Sequence, residues 1–211
     1  MEQDDGRANR VEPQTLAFLQ AVEEGGAPLQ ILAPAAARSR LAAIQRNVQI
    51  TKAPVTIEER VINSGPTGQL KLWLVRPSGN TGRPLPGILY LHGGWVVGNQ
   101  ETHDGLVREL VNGTQSMLIF VAYDQAPEAR YPVAIEQAYQ AMLWVAEQGA
   151  AIGVDPSRLA VVGDGVGGTL AAVMTLLAKQ RQGPQLLFQL LFYPVTAAEF
   201  GTDSYRQFGD R

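Results

Sequence analysis

The 211-residue chain has no cysteine, only two histidines, little charge of either sign and no apolar run long enough to cross a bilayer. The missing cysteines exclude disulfides, thiolate zinc sites and a thiol nucleophile. Lys and Arg number 17 against 20 Asp and Glu, a net charge of -3, so there is no concentrated basic surface to meet a phosphate backbone. Nucleic acid is therefore not expected as a partner. The most apolar window, Leu186 to Val195, is interrupted by Gln189 and Pro194 and reads as a buried strand, well short of the ~20 residues a membrane helix needs. Met1-Glu2-Gln3-Asp4-Asp5 is acidic, unlike the basic start of a signal peptide, and a cytoplasmic location is expected. What is present is ordinary globular material, 45% hydrophobic and 18% charged, enough for one main domain with a sizeable core.

Residues 1 to about 50 carry Leu16, Leu19 and Val22, then Ile31, Leu41 and Ile44, at helical spacing between Gly25-Gly26 and Pro34 breaks. They predict a small N-terminal helical cap segment, leaving 51–211 as the core. From Val55 the pattern becomes strand-like: Val55 to Ile62, a Gly65-Pro66 turn and Leu70 to Val75 predict a hairpin. Gly87 to Leu91 is apolar without alternation, as a strand covered on both faces should be. A helix from about Asp104 to Val111 then precedes a second buried strand, Met117 to Val121. Pro132 opens a helix through Glu147, and strand Leu159 to Val162, helix Thr169 to Lys179 and strand Leu186 to Phe192 follow. Thr196 to Arg211 is polar and weakly patterned, and there is no internal repeat or low-complexity segment. The expected architecture is α/β, a mostly parallel, doubly wound sheet that begins with an antiparallel hairpin.

The most informative segment is Gly163-Asp164-Gly165-Val166-Gly167-Gly168, which follows the apolar run Leu159-Ala160-Val161-Val162 and leads into a helical stretch. This is the sequence of a nucleophile elbow, G-x-S-x-G, in which the central residue sits at a strained strand-to-helix tip. The tip here is Gly165, where a serine would stand. Three further segments accompany it: Tyr90-Leu91-His92-Gly93-Gly94-Trp95-Val96-Val97-Gly98, then Thr102-His103-Asp104 with Arg108-Glu109-Leu110, then Ala126-Pro127-Glu128-Ala129-Arg130-Tyr131-Pro132. Together the four resemble the hormone-sensitive-lipase-like esterases of the α/β-hydrolase fold, over nearly the whole chain.

That resemblance implies hydrolysis of short acyl esters through an acyl-enzyme, with no metal or nucleotide cofactor. It places the nucleophile at position 165 and the oxyanion-stabilising amides at Gly93, Gly94 and Val166. The chain departs from the family pattern in four ways. Gly165 has no nucleophile. Both histidines, His92 and His103, precede the elbow, whereas the family's base follows it, and the C-terminal third of the fold is missing. The glycine loop is one residue short, with Gly93 and Gly94 where the family has three small residues before Trp. The family's Asp-Tyr-Arg is here Ala122-Tyr123-Asp124. The chain as written is therefore expected to be catalytically inactive. The alternative is a receptor-like remnant that binds a small ester or acid, as the family's gibberellin receptors bind theirs.

Trp95 and Asp164 are candidate substrate-lining residues, Trp95 equally well explained by packing. Asp164 as a substitute nucleophile is disfavoured, because strand register turns it away from the cleft. His92 is expected to hydrogen-bond backbone, and His103 to be solvated or to cap a helix. Gly163, Gly165 and Gly168 also satisfy G-x-G-x-x-G, but the stretch about 20 residues on, Phe188 to Phe192, has no acid for a ribose, which disfavours a dinucleotide. Strand 186–192, apolar and uncovered at its outer edge, is expected to make the chain self-associate.

Overall fold

The computed structural model describes residues 11–48, 50–79 and 82–208; the acidic start of the chain lies outside them. The chain divides into two compact units, residues 1–50 and 51–211. The first holds helices α1 (Pro13–Glu24) and α2 (Pro34–Asn47), with a single 3-10 turn between them at Leu29–Ile31. Each helix opens on a proline, whose fixed φ suits a first turn and whose missing N–H costs nothing there. The Arg40 guanidinium donates to the Val22 carbonyl at 2.8 Å, which ties α2 to the last turn of α1.

The second unit is a six-stranded sheet with strands β1 (Val55–Ile62), β2 (Leu70–Pro77), β3 (Leu85–Leu91), β4 (Met117–Ala122), β5 (Val154–Asp164) and β6 (Phe188–Phe192), in the order β1-β2-β4-β3-β5-β6. β1 and β2 form the expected antiparallel hairpin, β2 pairs antiparallel with β4, and the other pairings are parallel. Helices α3 (Gln100–Thr114), α4 (Val133–Gln148) and α5 (Val166–Gln180) make the crossovers, and a short α6 (Asp203–Phe208) lies in the segment read as unpatterned. α3 starts four residues earlier than predicted, because Asn99 and Thr102 form a reciprocal capping box ahead of the apolar positions.

Side-chain alternation along the strands builds two cores. Leu89, Leu91, Ile119, Val121 and Val161 face one side, where Ala138, Met142 and Val145 of α4 and Leu170, Ala171 and Met174 of α5 cover them. Ile88, Tyr90, Leu118, Phe120 and Val162 face the other, against Val107 and Val111 of α3. The Arg181 guanidinium grips the Glu136 carboxylate with two hydrogen bonds, at 2.9 and 2.8 Å, and lies over the Tyr139 ring, binding α5 to α4. The chain leaves β3 to one side for β4 and returns past it to β5. The carboxyl ends of β3 and β5 thus lie at the point where strand order reverses, the usual place for a ligand in an open α/β sheet.

α5 packs unusually close to the sheet. A Cβ on Gly167 would stand 2.0 Å from the Leu91 carbonyl oxygen, and one on Gly163 would stand 2.2 Å from the Gly167 oxygen. Backbone atoms cannot yield as a side-chain tip can, so Gly167→Ala must push α5 off β3. The expected cost is about 3 kcal/mol or more, a fall of roughly 6–12 °C in melting temperature for a chain of this size, measured by thermal denaturation.

β6 is the last strand in the order, with its Phe188 61% exposed and Leu187 just before it 66%, and no charged residue lies between Arg181 and Glu199. Edge strands that stay monomeric ordinarily carry a charge or a proline. The 211-residue chain is expected to associate in light scattering, and Phe188→Lys to shift it towards a monomer. A monodisperse monomer without the substitution would remove the reason for expecting this.

Candidate active site

Four pieces of chain converge at the carboxyl ends of β3 and β5. They are the loop after β3, the elbow between β5 and α5, the Tyr123–Pro132 segment after β4, and Tyr193 after β6. The elbow has the geometry its glycines foretold. Gly165 has φ 52° and ψ -123°, a combination open to glycine and costly for any residue with a Cβ. Its amide donates to the Phe192 carbonyl at 3.0 Å. A Cβ built on it would find only ordinary contacts, 3.9 Å from the Tyr193 ring and 4.0 Å from the Gly93 Cα. The space for a side chain therefore exists.

Asp164 binds the elbow to the loop. Its carboxylate is buried and accepts from the Tyr90 hydroxyl at 2.7 Å, the Gly93 amide at 2.9 Å and His103 Nε2 at 3.2 Å. This corrects two readings. Asp164 does not line the cleft, since its side chain is turned beneath the loop. The Gly93 amide, expected as an oxyanion donor, is spent on Asp164. A Cβ at Gly93 would lie 2.4 Å from the same carboxylate, which explains the glycine. His103 is not a solvated residue: Nε2 reaches Asp164 while Nδ1 lies 3.0 Å from the Asn99 carbonyl oxygen. The family's helix after the glycine loop thus carries a site residue whose role the sequence did not disclose.

His92 behaves as expected. Its Nδ1 meets the Gly93 carbonyl oxygen at 2.8 Å, and because a carbonyl only accepts, Nδ1 carries the proton. The ring is sandwiched nearly parallel between Phe120 and Tyr123, with centroids 5.2 and 4.3 Å away. The Tyr123 hydroxyl in turn donates to the His92 carbonyl.

Burial sets the protonation states. Desolvation pulls the His92 imidazole down to about 4, so the ring is neutral at physiological pH. Burial alone would raise the Asp164 carboxyl. The hydrogen bonds from His103 and Tyr90, the nearby His103 and the Gly93 amide outweigh it and hold the group below the usual carboxylate range. Desolvation, and for Tyr90 the Asp164 hydrogen bond as well, pushes the Tyr90 and Tyr123 phenols far up.

Amides with no acceptor among the described residues include those of Gly94 and Trp95 in the loop and of Val166 at the first turn of the 15-residue α5. Trp95 and Val166 also wall a cavity of about 210 Å³, with Tyr123, Gln125, Tyr131 and Leu170. This small, mostly apolar cleft suits a short acyl or alkoxy group. Donors at a helix N-terminus beside an apolar cavity can stabilise a carbonyl oxygen that gains negative charge. Among the described residues no group of three His, Asp or Glu is placed to hold a metal ion, and no helix is long and apolar enough to cross a membrane.

Known proteins share this fold. Residues 88–211 match a family model described as alpha/beta hydrolase fold. A thermostable esterase from Pseudomonas putida superposes with a TM-score of 0.89 at 47% identity, over 95% of this chain and 63% of its own. Carboxylesterase NlhH of Mycobacterium tuberculosis is 44% identical over 127 residues, 60% of this chain and 40% of NlhH. Esterase LipI from the same organism is 42% identical over 159 residues, 72% of this chain and 49% of LipI. The chain thus spans less than two thirds of the length of each of these relatives. It belongs to the α/β-hydrolase fold family, on its hormone-sensitive-lipase-like carboxylesterase branch.

The buried imidazole gives a pH signature. Unfolded His92 takes up a proton near 6.5, whereas the folded ring resists until about 4. Acidification through that window therefore favours the unfolded chain, and Asp164, whose folded pKa is depressed, adds a further loss at lower pH. Denaturant melts should show stability falling by up to about 1.4 kcal/mol per pH unit from this one group between about 6.5 and 4. His92→Asn should flatten that slope.

Proposed function

We propose that this chain carries the acyl-binding part of a carboxylic-ester hydrolase site without its nucleophile, and that as written it binds short esters or their acids without turning them over. The observation that carries this reading is Gly165. The elbow keeps the backbone turn that presents a nucleophile, at φ 52° and ψ -123°, and has no atom there to attack a carbonyl. The cavity beside Val166 and the unused amides of Gly94 and Trp95 support a retained acyl-binding role. In the family's chemistry a histidine would take the proton of an attacking hydroxyl. Here His92 is stacked between two rings and bonded to backbone, and His103 is committed to Asp164.

Short p-nitrophenyl esters should give no saturable hydrolysis above the buffer rate. Gly165→Ser alone should leave that unchanged, because the new hydroxyl would have no base, although it fits the space and costs about 1–3 kcal/mol in backbone strain. Turnover that a serine-directed phosphonate abolishes would show that another serine has taken over, and would sink the proposal. Binding separates the retained cleft from an empty scaffold: a short carboxylate such as butyrate should raise the melting temperature saturably, and no shift up to high concentration would leave the fold without a ligand role.

A further inference from the structure

The loop after β3 is one residue shorter than the pattern it resembles, and its carbonyls show how the shortening is accommodated. Between Leu91 at the end of β3 and Gln100 at the start of α3 the chain has eight residues. It turns through two successive left-handed positions, Gly94 at φ 85° and Trp95 at φ 42°. For Trp95 that conformation is strained, and its side chain is 61% exposed, so packing does little to hold it there. Inside the loop, the Val97 and Gly98 amides donate back to the Gly94 carbonyl at 2.7 and 3.3 Å. A further restraint comes from outside, beside the Asp164 bond to the Gly93 amide. The Gln125 side-chain amide donates to the Trp95 carbonyl at 3.0 Å and to the Gly98 carbonyl at 2.7 Å, spanning the loop from its tip to its exit. Two carbonyl acceptors require the NH2 face of the carboxamide, so the orientation of the group is fixed by its partners.

Gln125 is itself held. Its carbonyl accepts from the Ala129 amide at 2.9 Å, and the neighbouring Tyr123 hydroxyl donates to the His92 carbonyl at the other end of the loop. Gln125 and Trp95 also wall the same cavity. The geometry points to Gln125 as the positioning residue of the shortened loop: its carboxamide clamps the Trp95 and Gly98 carbonyls and so sets where the Gly94 and Trp95 amides stand relative to the acyl cavity. The link to an acyl group rests on the function proposed above; the clamp itself does not.

Hydrogen exchange on the 211-residue chain tests it without any ligand. Gln125→Glu keeps size and shape but places an acceptor against two acceptors, and Gln125→Leu removes the donors. Both should speed exchange at the hydrogen-bonded Val97 and Gly98 amides by about tenfold, the equilibrium equivalent of one to two net hydrogen bonds, with β3, β4 and α3 unaffected. A glycine inserted between Gly94 and Trp95 restores the longer loop, and in that background Gln125→Glu should change exchange by less than twofold. Unchanged exchange in Gln125→Glu, or acceleration spread evenly over the sheet, would overturn the assignment, and the Glu variant and the insertion decide the matter even if the Leu variant does not fold. Butyrate affinity distinguishes the two proposals. Localised loosening in a chain that never binds butyrate counts against the function alone, whereas butyrate binding that survives with loop exchange unaltered counts against the clamp alone.

Discussion

One carboxylate joins the two halves of the site. Asp164, at the end of β5, accepts from the first loop glycine, from Tyr90 on β3 and from His103 on α3. Each partner belongs to the β3-α3 unit, and Asp164 belongs to β5-α5. The parallel β3–β5 pairing brings these units side by side, but a sheet ladder leaves the loops at its end free to vary. The charge-assisted bonds from Asp164 remove that freedom. Burial makes the interaction both strong and obligatory, since an ionised carboxylate under a loop is tolerable only if its oxygens are satisfied.

This arrangement holds the elbow together without a side chain at its tip. Nothing in the Asp164 network, in the contact of Gly167 with Leu91 or in the bond from the Gly165 amide to Phe192 uses a side chain at 165. The scaffold of the corner and the chemistry of the corner are separable. With glycine at the tip, the disfavoured backbone conformation carries no Cβ strain, so this residue favours the fold.

The fold was largely readable because its signals are local. Unbroken apolar runs at Gly87–Leu91 and Met117–Val121 announced strands covered on both faces, and both lie in the centre of the sheet. The glycines around 165 announced a corner that only close backbone approach requires. The start of α3 was missed because its capping box sits ahead of the apolar periodicity, although Asn99 three residues before Thr102 is a recognisable cue. The site was less readable because its key bonds are long-range. The family resemblance placed Gly93 near an oxyanion, but only the three-dimensional pairing of β3 with β5 shows its amide spent on Asp164, and only the fold brings His103 and Gln125 to the loop from separate segments. Such contacts have no periodicity to betray them.

The bond between Gly93 and Asp164 spans 71 residues, and that separation governs when the site can exist. Closing a loop of this length costs roughly 4 kcal/mol in chain entropy beyond a constant, recovered only once β5 docks beside β3. On a ribosome adding about 5–20 residues per second, the glycine loop would wait roughly 4–14 s for the residue that fixes it. During that interval β3 has one open flank and the first loop glycine has no acceptor for its amide. The cleft is therefore among the last parts of this molecule to acquire a shape, and its integrity reports whether the whole sheet was completed in the right order.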